Sequence, residues 1–181
     1  MVTKIVGILN ITPDSFFDGG KHNQSKTALF HLEQLIKEGA DVIDIGAEST
    51  RPNAIPIDDI EECARLEDIL PQAIRIVQKY NQKNQSKIEI SLDSRHSKTV
   101  AWALDLGVDI INDVSGFEDE KMIQLAAKSG KKIVVMHNLG VPAAKNKIVD
   151  ESLDAVQVLI GWMKNKLLEL QKAGVKKEQI I

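Results

Sequence analysis

Residues 39–52 read GADVIDIGAESTRP. Gly39 ends a stretch of helical period, and a glycine there supplies the left-handed C-cap at which helices commonly stop. Val42–Ile45 is a short run rich in β-branched residues, and Glu48-Ser49-Thr50-Arg51 sets polar groups directly after it. Helix end, strand and polar loop follow one another with no room for anything else.

The same junction returns as LGVDIIND at 106–113, SGKKIVVM at 129–136 and AGVKKEQII at 173–181, with Gly107, Gly130 and Gly174 in the place of Gly39. Apolar runs at Ile5–Leu9, Val42–Ile45, Ile88–Leu92, Val108–Ile111 and Ile133–Met136 predict strands. Stretches of helical period predict helices over Lys26–Lys37, Asp59–Tyr80, Ser97–Leu106, Glu120–Ser129 and Glu151–Ala173. Such alternation predicts βαβ units and a parallel sheet. Gln179–Ile181 reads as the start of a sixth strand.

Two architectures suit serial βα units, an open doubly wound sheet and a closed barrel. No G-x-G-x-x-G phosphate loop follows the first strand, which weighs against the doubly wound sheet. Polar residues follow every strand: Asn10 after Leu9, the Glu48–Arg51 group after Gly46, Asp93 after Leu92, Asn112 after Ile111 and His137 after Met136. In a barrel those ends share one face, where the βα loops build the active site. The expected fold class is therefore α/β, a (β/α)8 TIM barrel. A whole barrel takes about 250 residues, so residues 1–181 are expected to be a single barrel domain cut short, with five βα units and the start of strand six. An open barrel would leave unpaired edges and uncovered apolar surface.

Bulk properties narrow the function classes. The chain has 181 residues, 43% of them hydrophobic, and a net charge of −3. That balance gives no footprint for nucleic acid or for an anionic membrane surface. A single cysteine, Cys63, leaves no disulfide framework, no apolar run is long enough to cross a bilayer, and the expected location is cytoplasmic. Asp58, Asp59, Glu61 and Glu62 read as a solvated helix start favoured by the helix dipole.

Residues 10–20, NITPDSFFDGG, form a loop at the end of the first strand. A hairpin would need a two-residue turn and a returning strand, and helical period begins only near Ser25. Read singly, the candidate residues stay ambiguous. Asn10 suits a strand-end cap as well as a metal ligand, Asp93 a helix N-cap as well as a pocket wall, Asn112 a turn as well as a recognition group. Ser-Thr-Arg-Pro suits a helix approach as well as an anion grip.

Taken together, the motifs resemble one family, the dihydropteroate synthases. GILNITPDSFFDGG from Gly7, GADVIDIGAESTRP at 39–52, ISLDSRHSKTVAWAL from Ile90 and GVDIINDVSG at 107–116 are each similar to a family motif, and VVMHNLG at 134–140 is a weaker match. The resemblance implies joining of 6-hydroxymethyl-7,8-dihydropterin diphosphate to p-aminobenzoate with release of pyrophosphate, a folate-biosynthetic transfer inhibited by sulfonamides. It implies that Asn10 holds Mg2+, a hard cation content with few protein oxygens beside phosphate and water, and that Arg51 grips phosphate with its planar fork. Thr50 and Pro52 would lie beside the diphosphate and the aminobenzoate. Asp93 and Asn112 would recognise the pterin edge, Met136 would wall the ring, and Phe16 or Phe17 would pack on the aminobenzoate as the first two loops close. Asn10, Arg51 and Asp93 are the catalytic candidates.

Ala47 stands where the family usually has a second glycine, and Ser94 where it usually has threonine. The family's later half supplies a further pterin-binding Asp, a Lys and an Arg/His pair, with no match in this chain. The resemblance therefore implies a protein that is a homodimeric enzyme when whole, while these 181 residues alone are expected to lack turnover. A pterin-binding methyltransferase barrel would share the Asp and Asn contacts without needing a diphosphate loop. A non-catalytic pterin-binding or partner-binding module is the other alternative.

Overall fold

A computed structural model describes residues 3–12, 21–52, 54–144, 147–150, 152 and 154–181, the side chains of 21–24 excepted. Phe16 and Phe17 lie outside the described residues. In chain order the elements are β1 (Val6–Asn10), α1 (Lys21–Lys37), β2 (Val42–Gly46), α2 (Asp59–Leu66), α3 (Leu70–Asn84), β3 (Glu89–Asp93), α4 (Ser97–Leu106), β4 (Ile110–Asp113), α5 (Glu120–Ser129), β5 (Lys132–Val135) and α6 (Ala155–Lys172), followed by a 3-10 turn at Lys177–Gln179. α1, α4, α5 and α6 stop where glycine permits it: Gly39, Gly107, Gly130 and Gly174 all take positive φ.

The five strands form one parallel sheet in the order β1-β2-β3-β4-β5. A doubly wound sheet reverses its strand order at a switch point. Here each strand lies beside its predecessor, as in a barrel wall. Past α6 the chain returns to the sheet, where Ile180 bridges Ile133 in parallel and the Ile181 N–H donates to the Ile133 carbonyl at 2.8 Å. That is the start of strand six.

Strand alternation divides the sheet into two chemically distinct faces. Leu9, Ile43, Ile45, Ile90, Leu92, Ile111 and Ile133, all 0–2% exposed, point to the helices and pack with Leu32, Leu66, Leu70, Val100 and Met122. Each fully buried side chain of this size contributes about 1.5–3 kcal/mol. The inner face carries Val6, Ile8 and Asn10 on β1, Asp44 and Gly46 on β2, Ser91 and Asp93 on β3, and Asn112 on β4. Its β1 edge is uncovered, with Val6 52% and Ile8 59% exposed.

Three helix expectations need correction. α1 begins at Lys21 rather than Lys26. Asp59–Tyr80 is two helices, broken at residues 67–69, where the Ile69 N–H turns back to the Leu66 carbonyl. Pro71 lies in the first turn of α3, where a missing N–H breaks no helical bond. α6 begins at Ala155 rather than near Glu151, because Asp154 caps it by accepting from Val156 N at 2.9 Å.

Candidate functional site

The strand register gathers the polar strand ends. Asn10 lies opposite Gly46, Gly46 opposite Asp93, and Asp93 opposite Asn112. With neighbouring strands about 4.8 Å apart, the Asn10 and Asp93 backbones are about 10 Å apart and those of Asp93 and Asn112 about 5 Å. All lie on the inner face at the carboxyl end of the sheet.

Gly46 leaves the gap that makes this row usable. A Cβ built there would lie 3.1 Å from Asp93 Oδ2 and 3.2 Å from Asp93 Cβ. Asp93 therefore leans across β2 into space that only glycine provides. Its carboxyl is pushed up to about 7, chiefly by burial and then by the nearby charges of Asp44, Glu62 and Asp113. Asp93 caps no helix: α4 is capped at His96, whose N–H donates to Ser94 Oγ at 3.1 Å.

Asn112 reaches across the inner face and donates from Nδ2 to Asp44 Oδ2 at 3.0 Å. The other carboxylate oxygen, Asp44 Oδ1, is buried without a partner. Directly after Asn112, Asp113 points to the helix side and ties the next loop, accepting from Ser115 N at 2.8 Å and Phe117 N at 3.0 Å. Burial pushes the Asp113 carboxyl up.

Thr50 and Met136 come together across the rim. They line a cleft of about 460 Å³ with His137, Asn138 and Lys147. His137 also packs edge-on against Trp162 of α6, with ring centroids 4.9 Å apart. Arg51 and Pro52 are exposed on the same loop as Thr50.

That loop is anchored from behind by Glu48, whose side chain is 6% exposed. Arg95 grips it through Nε and Nη2, both at 2.8 Å, Ile57 N donates at 3.1 Å, and His96 Nε2 lies 3.3 Å away. Burial alone would raise the Glu48 carboxyl, but the bonds from Arg95 and Ile57 outweigh it and hold the group below its ordinary value. Beside it Glu62 is 0% exposed and accepts from Ser94 Oγ at 2.7 Å, and burial pushes its carboxyl up. The expectation of a solvated Glu62 was wrong. It lies on the inward side of α2, while Asp58 caps that helix through Glu61 N at 2.8 Å. Ser94, a departure from the family pattern, supplies the hydroxyl that receives this buried acid.

The pterin binding enzyme family pattern matches residues 6–181. The chain belongs to the pterin binding enzyme family. Dihydropteroate synthase from Neisseria meningitidis serogroup B is 41% identical over 181 residues, a match that takes in 98% of this chain and 60% of that protein. The crystal structure of the Anaplasma phagocytophilum dihydropteroate synthase, with bound 6-hydroxymethylpterin-monophosphate, is 39% identical with a TM-score of 0.84 and covers 99% of this chain and 65% of its own. The Burkholderia cenocepacia enzyme complexed with 7,8-dihydropteroate is 31% identical with a TM-score of 0.77, covering 98% of this chain and 56% of its own. The chain thus spans about 60% of the length of these curated relatives.

Sequence reasoning had pointed to Asn10, Thr50, Arg51, Pro52, Asp93, Asn112 and Met136. The fold brings Asn10, Asp93 and Asn112 into one row and Thr50 and Met136 into one cleft. Sequence reasoning passed over Asp44 and the Glu48–Arg95 pair. The signal for Asp44 was present in VIDIG, where an acid interrupts an otherwise apolar strand.

Proposed function

We propose that this chain carries the dihydropterin half of a dihydropteroate synthase site. The whole protein would join 6-hydroxymethyl-7,8-dihydropterin diphosphate to p-aminobenzoate, releasing pyrophosphate, in the cytoplasm. The observation that carries this reading is the row Asn10–Gly46–Asp93–Asn112, which sets an acid and an amide beside each other on one inner face. A pterin edge offers an amino group and ring nitrogens, which a carboxylate and an amide can pair. An unmatched group in such a pocket costs about 1–3 kcal/mol, so the pair also rejects rings lacking those groups. Met136 and Thr50 supply a wall and a hydroxyl at the mouth.

Asn10 fits a magnesium ion by the chemistry of its donor, a neutral hard oxygen at the exposed end of β1. No group of three or more His, Cys, Asp or Glu among the described residues could hold a metal. That suits a cation held by few side chains and mostly by phosphate and water. When bound, such an ion would neutralise charge on the departing pyrophosphate. Arg51 would grip the same oxygens, and Phe16 and Phe17 would cover the aminobenzoate, where sulfonamides would compete. The methyltransferase alternative needs no anion-gripping loop, so Asn10 and Arg51 favour the synthase.

Calorimetry tests this directly. The 181-residue chain is expected to bind the dihydropterin diphosphate in the presence of Mg2+ and to show no turnover with p-aminobenzoate, whereas the full-length protein turns over. Failure of both proteins to bind the pterin would overturn the reading. Gly46→Ala gives a sharper check, because the added methyl must displace the Asp93 carboxyl. It is expected to weaken pterin binding about tenfold while costing about 1–3 kcal/mol of stability. Unchanged affinity would show that Asp93 does not depend on that gap.

A further inference from the structure

Asp44 and Asn112 lie on strands that are not neighbours, yet the Asn112 amide reaches across β3 to donate to Asp44 Oδ2 at 3.0 Å. A carboxylate accepts hydrogen bonds and cannot donate them. The bond therefore fixes which way the amide faces, since the flipped amide would set its own oxygen against the carboxylate. One N–H of the amide is thereby spent on Asp44. What remains is the oxygen and the second N–H, an acceptor and a donor whose sides of the amide are now fixed. That edge pairs with an amino group beside an acceptor nitrogen, the pairing by which an asparagine amide reads adenine.

The second oxygen of Asp44, buried and unpartnered, shows that the acid is held here at a cost. A purely structural position would favour an apolar residue. The stretch is otherwise apolar: Ile43 and Ile45 are both 0% exposed.

We propose that Asp44 is a positioning residue that, by tying down one N–H of Asn112, makes the site read a ring edge with an amino donor beside an acceptor nitrogen and reject the edge with those roles exchanged. This rests on the pterin reading above and deepens it. A pterin presents the first edge, through its 2-amino group and N1. The 2-oxo analogue presents the second, a carbonyl beside N1–H.

Titration calorimetry of the full chain with 6-hydroxymethylpterin and with its 2-oxo counterpart tests the assignment. Both rings are measured at one pH for each variant and the readout is the ratio of their affinities, so the titration of Asp93 enters both sides of each comparison. The wild-type chain is expected to prefer the amino ring by about 100-fold, as sites with committed buried partners do. In Asp44→Asn the amide at 44 can accept or donate, Asn112 is free to turn over, and the preference is expected to fall about tenfold. Asp44→Ser carries the same comparison if Asp44→Asn fails to fold. An equal loss of affinity for both rings, with the ratio kept, would assign Asp44 a merely structural role and overturn the proposal. Binding of neither ring by the wild-type chain would overturn the pterin reading, and this assignment with it.

Discussion

Asp93→Asn is expected to raise the melting temperature above pH 7, to leave it unchanged near pH 3, and to weaken pterin binding about 100-fold, the value of a bond to a charged group. The sign follows from Asp93, whose carboxyl is pushed up to about 7 by burial and by its acidic neighbours. An acid raised on folding binds its proton more tightly in the folded chain than in the unfolded one. Stability tied to that proton is fully present below the ordinary value of 3.8 and is lost as pH rises through about 7. Asparagine stays neutral throughout, so the gap between variant and wild type opens from about pH 4 and levels off above 7. At one pH unit per 1.4 kcal/mol the plateau is about 4 kcal/mol at most, or about 10 °C in a chain of this size. Thermal melts from pH 3 to 9 measure it, and parallel curves for the two proteins would refute it. The fold thus bears an acid it would be more stable without, which is the signature of a group kept for its chemistry.

Arg95→Ala is expected to destabilise the chain by about 3–5 kcal/mol at pH 7, the cost of removing one partner of a buried pair. Glu48 would be left charged with its side chain only 6% exposed, holding the bond from Ile57 N at 3.1 Å with His96 Nε2 3.3 Å away. In the wild type, Glu48 is held below its ordinary value. Its contribution is therefore present above 4.5 and is lost as pH falls through the lowered value. Without Arg95 the burial that opposes this is left uncompensated, and the carboxyl moves above its ordinary value. The deficit of Arg95→Ala should therefore shrink between pH 7 and 5, a window in which the wild-type contribution of Glu48 stays constant. Replacing both partners, Glu48→Met with Arg95→Met, is expected to recover most of the stability, because no charge is then stranded. The double variant would still lose order in the loop carrying Thr50 and Arg51, read as a raised KM for the diphosphate substrate in the full-length enzyme. Denaturant titration across this double-mutant cycle measures the coupling. Additive effects would show that the pair does not hold the loop.

Local pattern carried much of this. α4 and α5 occupy the spans predicted from sequence, Ser97–Leu106 and Glu120–Ser129, since each pairs clear helical period with a glycine stop. The break between α2 and α3 was hidden, because the apolar period runs on through Ile69, and only the turned-back N–H shows the interruption. Glu62 was misread for a related reason. An acid in a first turn satisfies the helix dipole whichever way it faces, and its inward orientation depends on Ser94 in a different loop.

The sequence by itself determined the alternation of strand and helix, the positions of the glycine caps, and the placement of a polar residue at each strand end. These are properties of neighbouring residues, written in period and backbone preference. Only the tertiary structure decided the register that sets Asn10, Gly46, Asp93 and Asn112 in one row, the bond from Asn112 to Asp44, and the grip of Arg95 on Glu48. Those partners are 68 and 47 residues apart. Their pairing is fixed by which strands lie side by side and by how the sheet curves, quantities that no short window of sequence contains.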